Sequence, residues 1–414
     1  MTATPDRLAL LGGEPLRAAP WPKWPVVGAE EERLLLATLR SGNWWNRAFG
    51  HSLDHQQNAD GPESRVIEFQ NRFAAYQDCA YGVCTSNGTV SLEIALRAAG
   101  VRPGDEVIVP PYTYFATASA VLTVGAVPVF ADIDPDTYNL DPAQIEPLIS
   151  EYTAAIIPVH FGGQPCRMDE INALAKKYNL AVIEDAAHAH GALYKGRKCG
   201  SLGHIGSFSF QFSKNMTAGE GGMLTTNAAG LAEHCERLVW AGRKAGEPWY
   251  VHYELASNAR ITEFQAAVLL GQLARVEEQC RLRAANAARL TELLAQVEGI
   301  APLRLEADTT RSAYHLYIFR YTPAAFGGLA RERFVQALLA EGIAGASSGY
   351  NHPLYANPLF ASQPFGGGQC PNAERACAAE AVWLPQNLLL AGAEDMRDIQ
   401  QALLKIQRLA HTLL

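Results

Sequence analysis

The sequence predicts an α/β protein in two parts: a mostly parallel sheet covered by helices on both faces, then a smaller α+β region. Three observations carry this. Between Val66 and Glu184, helical patterns alternate with short β-branched runs. Beyond Gly222 that rhythm stops, and a long amphipathic segment takes over from residue 262 to about 297. The chain has 414 residues, too many for one small core and enough for about two or three domains. Strict alternation of strand and helix is how chains build parallel sheets, because each parallel strand needs a crossover to return.

Taken in order, the first 27 residues hold Trp21, Pro22, Trp24 and Pro25 and read as an ordered arm. A helix over 66–76 leads to a strand over 81–85 and a helix over 89–98. Next come a strand over 106–110, a helix over 115–124 and a strand over 127–131. A strand over 155–159, a helix over 168–178 and a strand over 181–184 continue the series. Two apolar runs flank a glycine-rich turn near Gly222, and a helix follows over 231–241. A strand over 314–321 opens the smaller region, and a helix over 396–413 closes it. This divides the chain into an arm (1–27), a large domain (28–275) and a small C-terminal domain (276–414), with the boundary in or just after the long helix.

Composition excludes several partners. A net charge of −8, without any basic cluster, disfavours nucleic acid and anionic membranes. No apolar run reaches membrane-spanning length, and the first residues lack the pattern of a secretory signal. The eight cysteines are scattered without a Cys-x-x-Cys pair, which predicts reduced thiols in a cytoplasmic protein and no zinc site.

The most informative stretch is Ser207-Phe-Ser-Phe-Gln-Phe-Ser-Lys-Asn-Met-Thr-Ala-Gly-Glu-Gly-Gly222. A lone lysine, Lys214, follows a β-prone run and precedes a glycine-rich turn. An amine held at a buried strand end loses water and with it part of its basicity, which frees it for nucleophilic attack. The chemistry that most needs such an amine is imine formation with pyridoxal phosphate.

Four other segments fit that cofactor. Thr85-Ser-Asn-Gly-Thr89 joins a strand to a helix, so free amides and the Thr89 hydroxyl meet the positive end of a helix dipole, as a phosphate requires. The same run is also a good turn and helix cap. Val182-Ile-Glu-Asp-Ala-Ala-His188 puts Asp185 at the end of an apolar strand, where a carboxylate needs a cationic partner such as a pyridinium nitrogen. His188 offers a hydrogen bond to the ring's phenolic oxygen and reads equally as a core histidine. Pro110-Pro-Tyr-Thr-Tyr-Phe-Ala-Thr117 supplies aromatics at another strand end, without revealing which of Tyr112, Tyr114 and Phe115 stacks on a ring. Ser209 adds a hydroxyl near the same place.

Together these segments resemble the DegT/StrS-type sugar aminotransferases, a branch of the fold-type I pyridoxal-phosphate enzymes. Ser86-Asn-Gly-Thr89, Thr113-Tyr-Phe-Ala-Thr117, Glu184-Asp-Ala-Ala-His188, Ser207-Phe-Ser209, Lys214 with Thr217-Ala-Gly-Glu-Gly-Gly222, and Ser257-Asn-Ala-Arg-Ile-Thr-Glu-Phe-Gln-Ala-Ala267 carry the likeness, in the expected order along nearly the whole chain. The resemblance implies a seven-stranded sheet and makes Lys214 the cofactor lysine, Asp185 the pyridinium partner and Tyr114 the stacking ring. His188 falls beside the ring oxygen, and Gly88, Thr89 and Ser209 at the phosphate. Asn258 matches a residue that reaches the phosphate from a neighbouring subunit, and Arg260 lies in the same crossing loop. A homodimer with two shared sites is therefore implied.

One branch of the family removes a hydroxyl and carries histidine in place of the lysine; Lys214 favours amino transfer. The likeness runs closest to enzymes acting on keto-cyclitols such as scyllo-inosose and to 3-amino-5-hydroxybenzoate synthases, with nucleotide-sugar aminotransferases as third neighbours. Gln211, Trp45 in Ser41-Gly-Asn-Trp-Trp45, and Tyr350 and His352 in Gly349-Tyr-Asn-His-Pro-Leu-Tyr355 are the candidate substrate residues. The expected reaction is ping-pong, from L-glutamine or L-glutamate to a keto-cyclitol or keto-sugar. The rivals are a lyase or dehydratase using the same cofactor, and a cofactor-binding regulatory protein without catalysis.

Overall fold

The structure is a computed structural model and describes residues 7–45, 64–248 and 250–414; the first six residues of the expected arm lie outside it. Strands β1 (Tyr81–Thr85), β2 (Glu106–Val109), β3 (Val127–Phe130), β4 (Thr153–Ile156), β5 (Ala181–Asp185), β6 (Ile205–Ser209) and β7 (Gly222–Thr226) form one sheet in the order β1-β7-β6-β5-β4-β2-β3. Only β7 runs against its neighbours, pairing antiparallel with β1 and β6. The other contacts, β6 to β5, β5 to β4, β4 to β2 and β2 to β3, are parallel. The seven expected strands are joined by a two-residue eighth, Gly366–Gly367, which pairs parallel to β3 from the C-terminal region.

The helices of this part are α1 (Ala29–Ser41), α2 (Arg65–Tyr76), α3 (Gly88–Ala98), α4 (Ala116–Thr123), α5 (Met168–Tyr178) and α6 (Ala229–Val239), of which α3, α4 and α5 lie between strands of the sheet. Runs such as Val107, Ile108 and Val109 are wholly buried, as strands covered on both faces must be. Where bounds differ from expectation, the backbone explains it. The strand expected to end at Val159 stops at Ile156, because Pro158 has no N–H to continue the ladder; Val159 keeps a single bridge to Asp185. The strand expected from Tyr314 begins at Leu316, since Tyr314 has φ of 46° and turns the chain.

Helix α7 (Glu263–Leu294) opens on a capping box: Gln265 N donates to Thr262 Oγ1, and Thr262 N donates to Gln265 Oε1 at 3.0 Å. Its first half buries Leu269, Leu270 and Val276 in the core of the large sheet. Its second half puts Ala287, Leu290 and Leu294 into another core, shared with α8 (Arg331–Ala340) and α9 (Met396–Leu409). Position 275 thus lies inside one continuous helix. Leu8 and Trp21 of the arm pack into that second core, with Trp21 Nε1 donating to Gly342 O at 2.8 Å. In the C-terminal region, a strand over Leu316–Tyr321 pairs antiparallel with Ile300–Pro302 and Ala381–Pro385.

Candidate active site

At the carboxyl ends of β1, β2, β5 and β6 the loops enclose a cavity of about 700 Å³. Open parallel sheets bind ligands at that edge. Gly88, Thr89, Tyr114, Asp185, His188, Ser209, Gln211 and Lys214, eight of the residues singled out above, line it.

At one end is the first turn of α3. Asn87 caps the helix by accepting from Val90 N at 2.9 Å, and the Gly88 and Thr89 amides are left without acceptors among the described residues. Glycine is required at 88: a Cβ there would lie 2.6 Å from Ser209 Cβ. The close approach brings the Ser209 hydroxyl to the first turn of α3 and its open amides, a cradle suited to a phosphate.

Across the cavity, Asp185 is 6% exposed at the end of β5. Its Oδ2 accepts from Thr117 Oγ1 at 2.8 Å and its Oδ1 from Ala187 N at 3.2 Å. Burial raises its pKa, while Thr117, Ala187 and the nearby Lys214 oppose the rise. A buried acid so held is a ready partner for a cation such as a pyridinium.

Lys214 lies five residues beyond the end of β6, in a turn closed by its own N–H to Gln211 O at 2.9 Å. Ser213 donates from N and Oγ to Gln211 Oε1, each at 2.8 Å, and Trp24 Nε1 of the arm donates to Phe212 O at 2.9 Å. Loss of water lowers the amine's pKa to about 8, with the Asp185 charge pulling the other way. The nucleophile of this cavity is therefore substantially neutral near pH 8.

His188 is buried against His315, with ring centroids 4.1 Å apart, and its Nδ1 has no hydrogen-bond partner among the described residues. Burial, followed by the Lys214 charge, drives its pKa well below the usual imidazole range. Tyr114 lines the cavity and is 60% exposed, whereas Tyr112 is buried in a cluster with Tyr138, Phe161, Tyr350 and Trp383.

Other expected residues stand outside the lining. Tyr350 packs behind it on Phe161 and Trp383, and its hydroxyl is pushed up by burial and then by the Asp185 charge. His352 is exposed and pairs with Asn357 Oδ1 at 3.1 Å. Trp45 and Arg260 form a cluster of their own, the guanidinium 5.6 Å from the Trp45 ring and 4.9 Å from Trp240. Asn258 bridges to Trp240 through the backbone. Ser86 N donates to Ala259 O at 2.7 Å, so this loop is tied to the phosphate-cradle turn without entering the cavity.

Thr117, Glu220 and His315 were not singled out from sequence. Thr117 stands one helical turn beyond Thr113 at the start of α4, a spacing that aims both hydroxyls at the strand end. Glu220 belongs to the glycine-rich turn and lines the cavity. His315 gives no local signal; it lies 127 residues beyond His188 and meets it only in the fold. Separately, His160, Glu184 and Cys199 bring possible metal-ligand atoms within 4.8 Å of one another. The atoms of His160 and Glu184 are already engaged: Glu184 accepts from His160 Nε2 and from the Gly200, Leu202 and Gly203 amides, and His160 Nδ1 accepts from Cys166 N.

A buried acid facing a weakly basic lysine, beside a helix-terminal anion cradle at the sheet edge, defines a fold-type I pyridoxal-phosphate enzyme. Residues 43–403 match the DegT/DnrJ/EryC1/StrS aminotransferase family, and the chain belongs to it; aminotransferases of this family use pyridoxal phosphate. An L-glutamine:2-deoxy-scyllo-inosose aminotransferase of Streptoalloteichus tenebrarius is 38% identical over 428 residues, 98% of each chain. A pleiotropic regulatory protein of Geobacillus stearothermophilus is 42% identical over 322 residues, 77% of this chain and 83% of that one. The crystal structure of a 3-amino-5-hydroxybenzoic acid synthase superposes with a TM-score of 0.84 at 31% identity, over 94% of this chain and 99% of that chain. Among the described residues, no helix is long and apolar enough to cross a membrane.

Proposed function

We propose that this aminotransferase moves the amino group of L-glutamine onto a keto-cyclitol related to scyllo-inosose. The carrying observation is the pairing of Lys214 and Asp185 across one cavity: an amine eased towards its neutral form opposite an acid available to a ring nitrogen.

Held there, pyridoxal phosphate supplies a reactive aldehyde and an electron sink. The chain does the rest. The Gly88 and Thr89 amides and the Ser209 hydroxyl would hold the phosphate, Asp185 would keep the ring nitrogen protonated, and Tyr114 would supply the aromatic face for the ring. His188, neutral and with an Nδ1 unused among the described residues, would offer a hydrogen bond to the ring oxygen. Lys214 would hold the cofactor through its amine and, once that amine is free, would serve as the base and acid that moves the proton between the two carbons whose oxidation level changes. In the first half-reaction the donor leaves as its 2-oxo acid. In the second, the acceptor ketone becomes an amine and loses its oxygen as water, which makes the cycle ping-pong.

Two considerations favour a cyclitol over a nucleotide-linked sugar. The relative from Streptoalloteichus tenebrarius is named for a deoxy-inosose acceptor and L-glutamine. In addition, Lys214 is the sole cation lining the cavity among the described residues, while Glu220 and Gln211 line it too. A diphosphate would call for basic side chains there; a polyol calls for hydrogen-bonding ones. Asn258 and Arg260 stand apart from the cavity of their own subunit, as residues serving the neighbour's site in a homodimer would.

Purified protein should be yellow, and borohydride should fix the cofactor on Lys214. With L-glutamine, 2-deoxy-scyllo-inosose and scyllo-inosose should turn over faster than nucleotide-linked keto-sugars, and Lys214→Ala should lower the rate roughly 10²- to 10⁴-fold. Preference for the nucleotide-linked substrates would reject the acceptor. Full turnover by Lys214→Ala would reject the site.

A further inference from the structure

Behind His188 stands a second imidazole with no assigned part in the chemistry. His315 immediately precedes the strand Leu316–Tyr321 and is 6% exposed. Its ring lies 4.1 Å from that of His188, centroid to centroid, with 31° between the planes. Its Nδ1 meets Asn215 Oδ1 at 3.3 Å. Asn215 spends its Nδ2 on Ala313 O at 2.8 Å, which turns its oxygen towards the imidazole and makes His315 Nδ1 the protonated nitrogen. Asn215 is the residue after Lys214. One side chain from the C-terminal region therefore touches both the ring beside the cofactor cavity and the turn that carries the amine.

The stack is held from behind. A Cβ on Gly163 would lie 2.9 Å from His188 O and 3.0 Å from His315 N, so three backbone segments meet there without slack. The charged and titratable groups acting on His315 are Lys214, His190 and Arg283; with burial they keep the ring neutral. His188 is kept neutral by burial, Lys214, His315 and His190. Two neutral rings stack without the repulsion that a second proton would bring.

We propose that His315 is a positioning residue: its flat face braces the His188 imidazole, and its bond to Asn215 ties that brace to the Lys214 turn. This rests on the assignment of Lys214 and His188 to the reacting centre. Misplacing a group at a reacting centre by about 1 Å can cost on the order of 100-fold in rate, so loss of the brace should appear in kcat.

The test uses the holoenzyme with two variants of comparable bulk. His315→Leu fills the space but has neither a flat face nor a donor, whereas His315→Phe restores the face alone. For His315→Leu, kcat should fall roughly 10- to 100-fold, with the KM for L-glutamine within about threefold of wild type. The visible absorption band of the bound cofactor should titrate at a displaced pH, and stripped protein should bind pyridoxal phosphate more weakly in equilibrium dialysis. His315→Phe should recover most of kcat and return the titration towards wild type. An active wild type with an unaffected His315→Leu, or a His315→Phe as impaired as His315→Leu, overturns the proposal alone. A wild-type protein that takes up no cofactor at Lys214 overturns the site assignment, and this proposal with it.

Discussion

The Thr117 hydroxyl donates to Oδ2 of Asp185 at 2.8 Å, from the first turn of α4 to the end of β5. This bond, the one from Ala187 N and the charge of Lys214 favour the ionised acid against burial. Removing the donor leaves the carboxylate underpaired, at a cost of about 1–3 kcal/mol. Thr117→Val should therefore weaken pyridoxal phosphate binding about tenfold. Because the acid would then hold its proton to higher pH, affinity should recover as pH is raised. Equilibrium dialysis of the stripped variant at two pH values reads both effects.

Gly88→Ala would drive a Cβ to 2.6 Å from Ser209 Cβ, so α3 or β6 must shift. Overpacking of this kind costs about 1–3 kcal/mol. Thermal denaturation should show a lower Tm, and cofactor affinity should fall with the cradle's geometry. Gly230→Ala is the control: its Cβ meets no atom within 4 Å, and it lies within α6, where alanine is the better helix former. That variant should be neutral or slightly stabilised.

His190 is buried among Phe73, Phe208 and Phe210, and burial lowers its pKa to about 3. The unfolded chain takes up this proton near pH 6.5 and the folded one only near 3. Between those values the unfolded state binds more protons, so stability should fall as pH is lowered through that window. His188 and His315 act in the same direction. His190→Phe should flatten the slope of unfolding free energy against pH, measured by urea denaturation from pH 7 to 4. An unchanged slope would mean that His190 is charged in the folded state.

The Lys214 amine, with its pKa lowered to about 8, should react with pyridoxal phosphate faster as pH rises from 6 to 9, levelling off above about 8. Stopped-flow absorbance of stripped protein mixed with the cofactor measures this. A midpoint near the ordinary lysine value would show that the amine is fully hydrated before the cofactor enters.

Shared sites can be tested by complementation. Lys214→Ala and Asn258→Ala should each be impaired as homodimers. Mixed dimers would hold one intact site, so co-expression should restore about a quarter of wild-type activity by random pairing. Recovery no greater than the parents would argue against a crossing Asn258.

Periodicity and local chemistry made much of this protein legible. The strands over 81–85 and 181–184 and the helix over 168–178 follow from apolar patterns that any sheet-building chain must carry, and their bounds agree with the structure to within a residue. Lys214, Asp185 and Gly88 announce themselves because each breaks its local pattern: a lysine after a buried run, an acid at an apolar strand end, a glycine where a strand turns into a helix. The helices over Ala29–Ser41 and Arg331–Ala340 are not among the elements expected from the sequence.

Distance in sequence hides the rest. That Tyr114 rather than Tyr112 meets the cavity, that Thr117 steadies Asp185 and that His315 lies against His188 depend on which elements pack together. The chain by itself determined the alternating architecture and the lysine and acid of the site, since backbone periodicity and the cost of burying a charge act locally. The fold alone decided which neutral rings surround the amine and how far its basicity falls, because desolvation is a property of everything packed around a group and not of its neighbours in the chain.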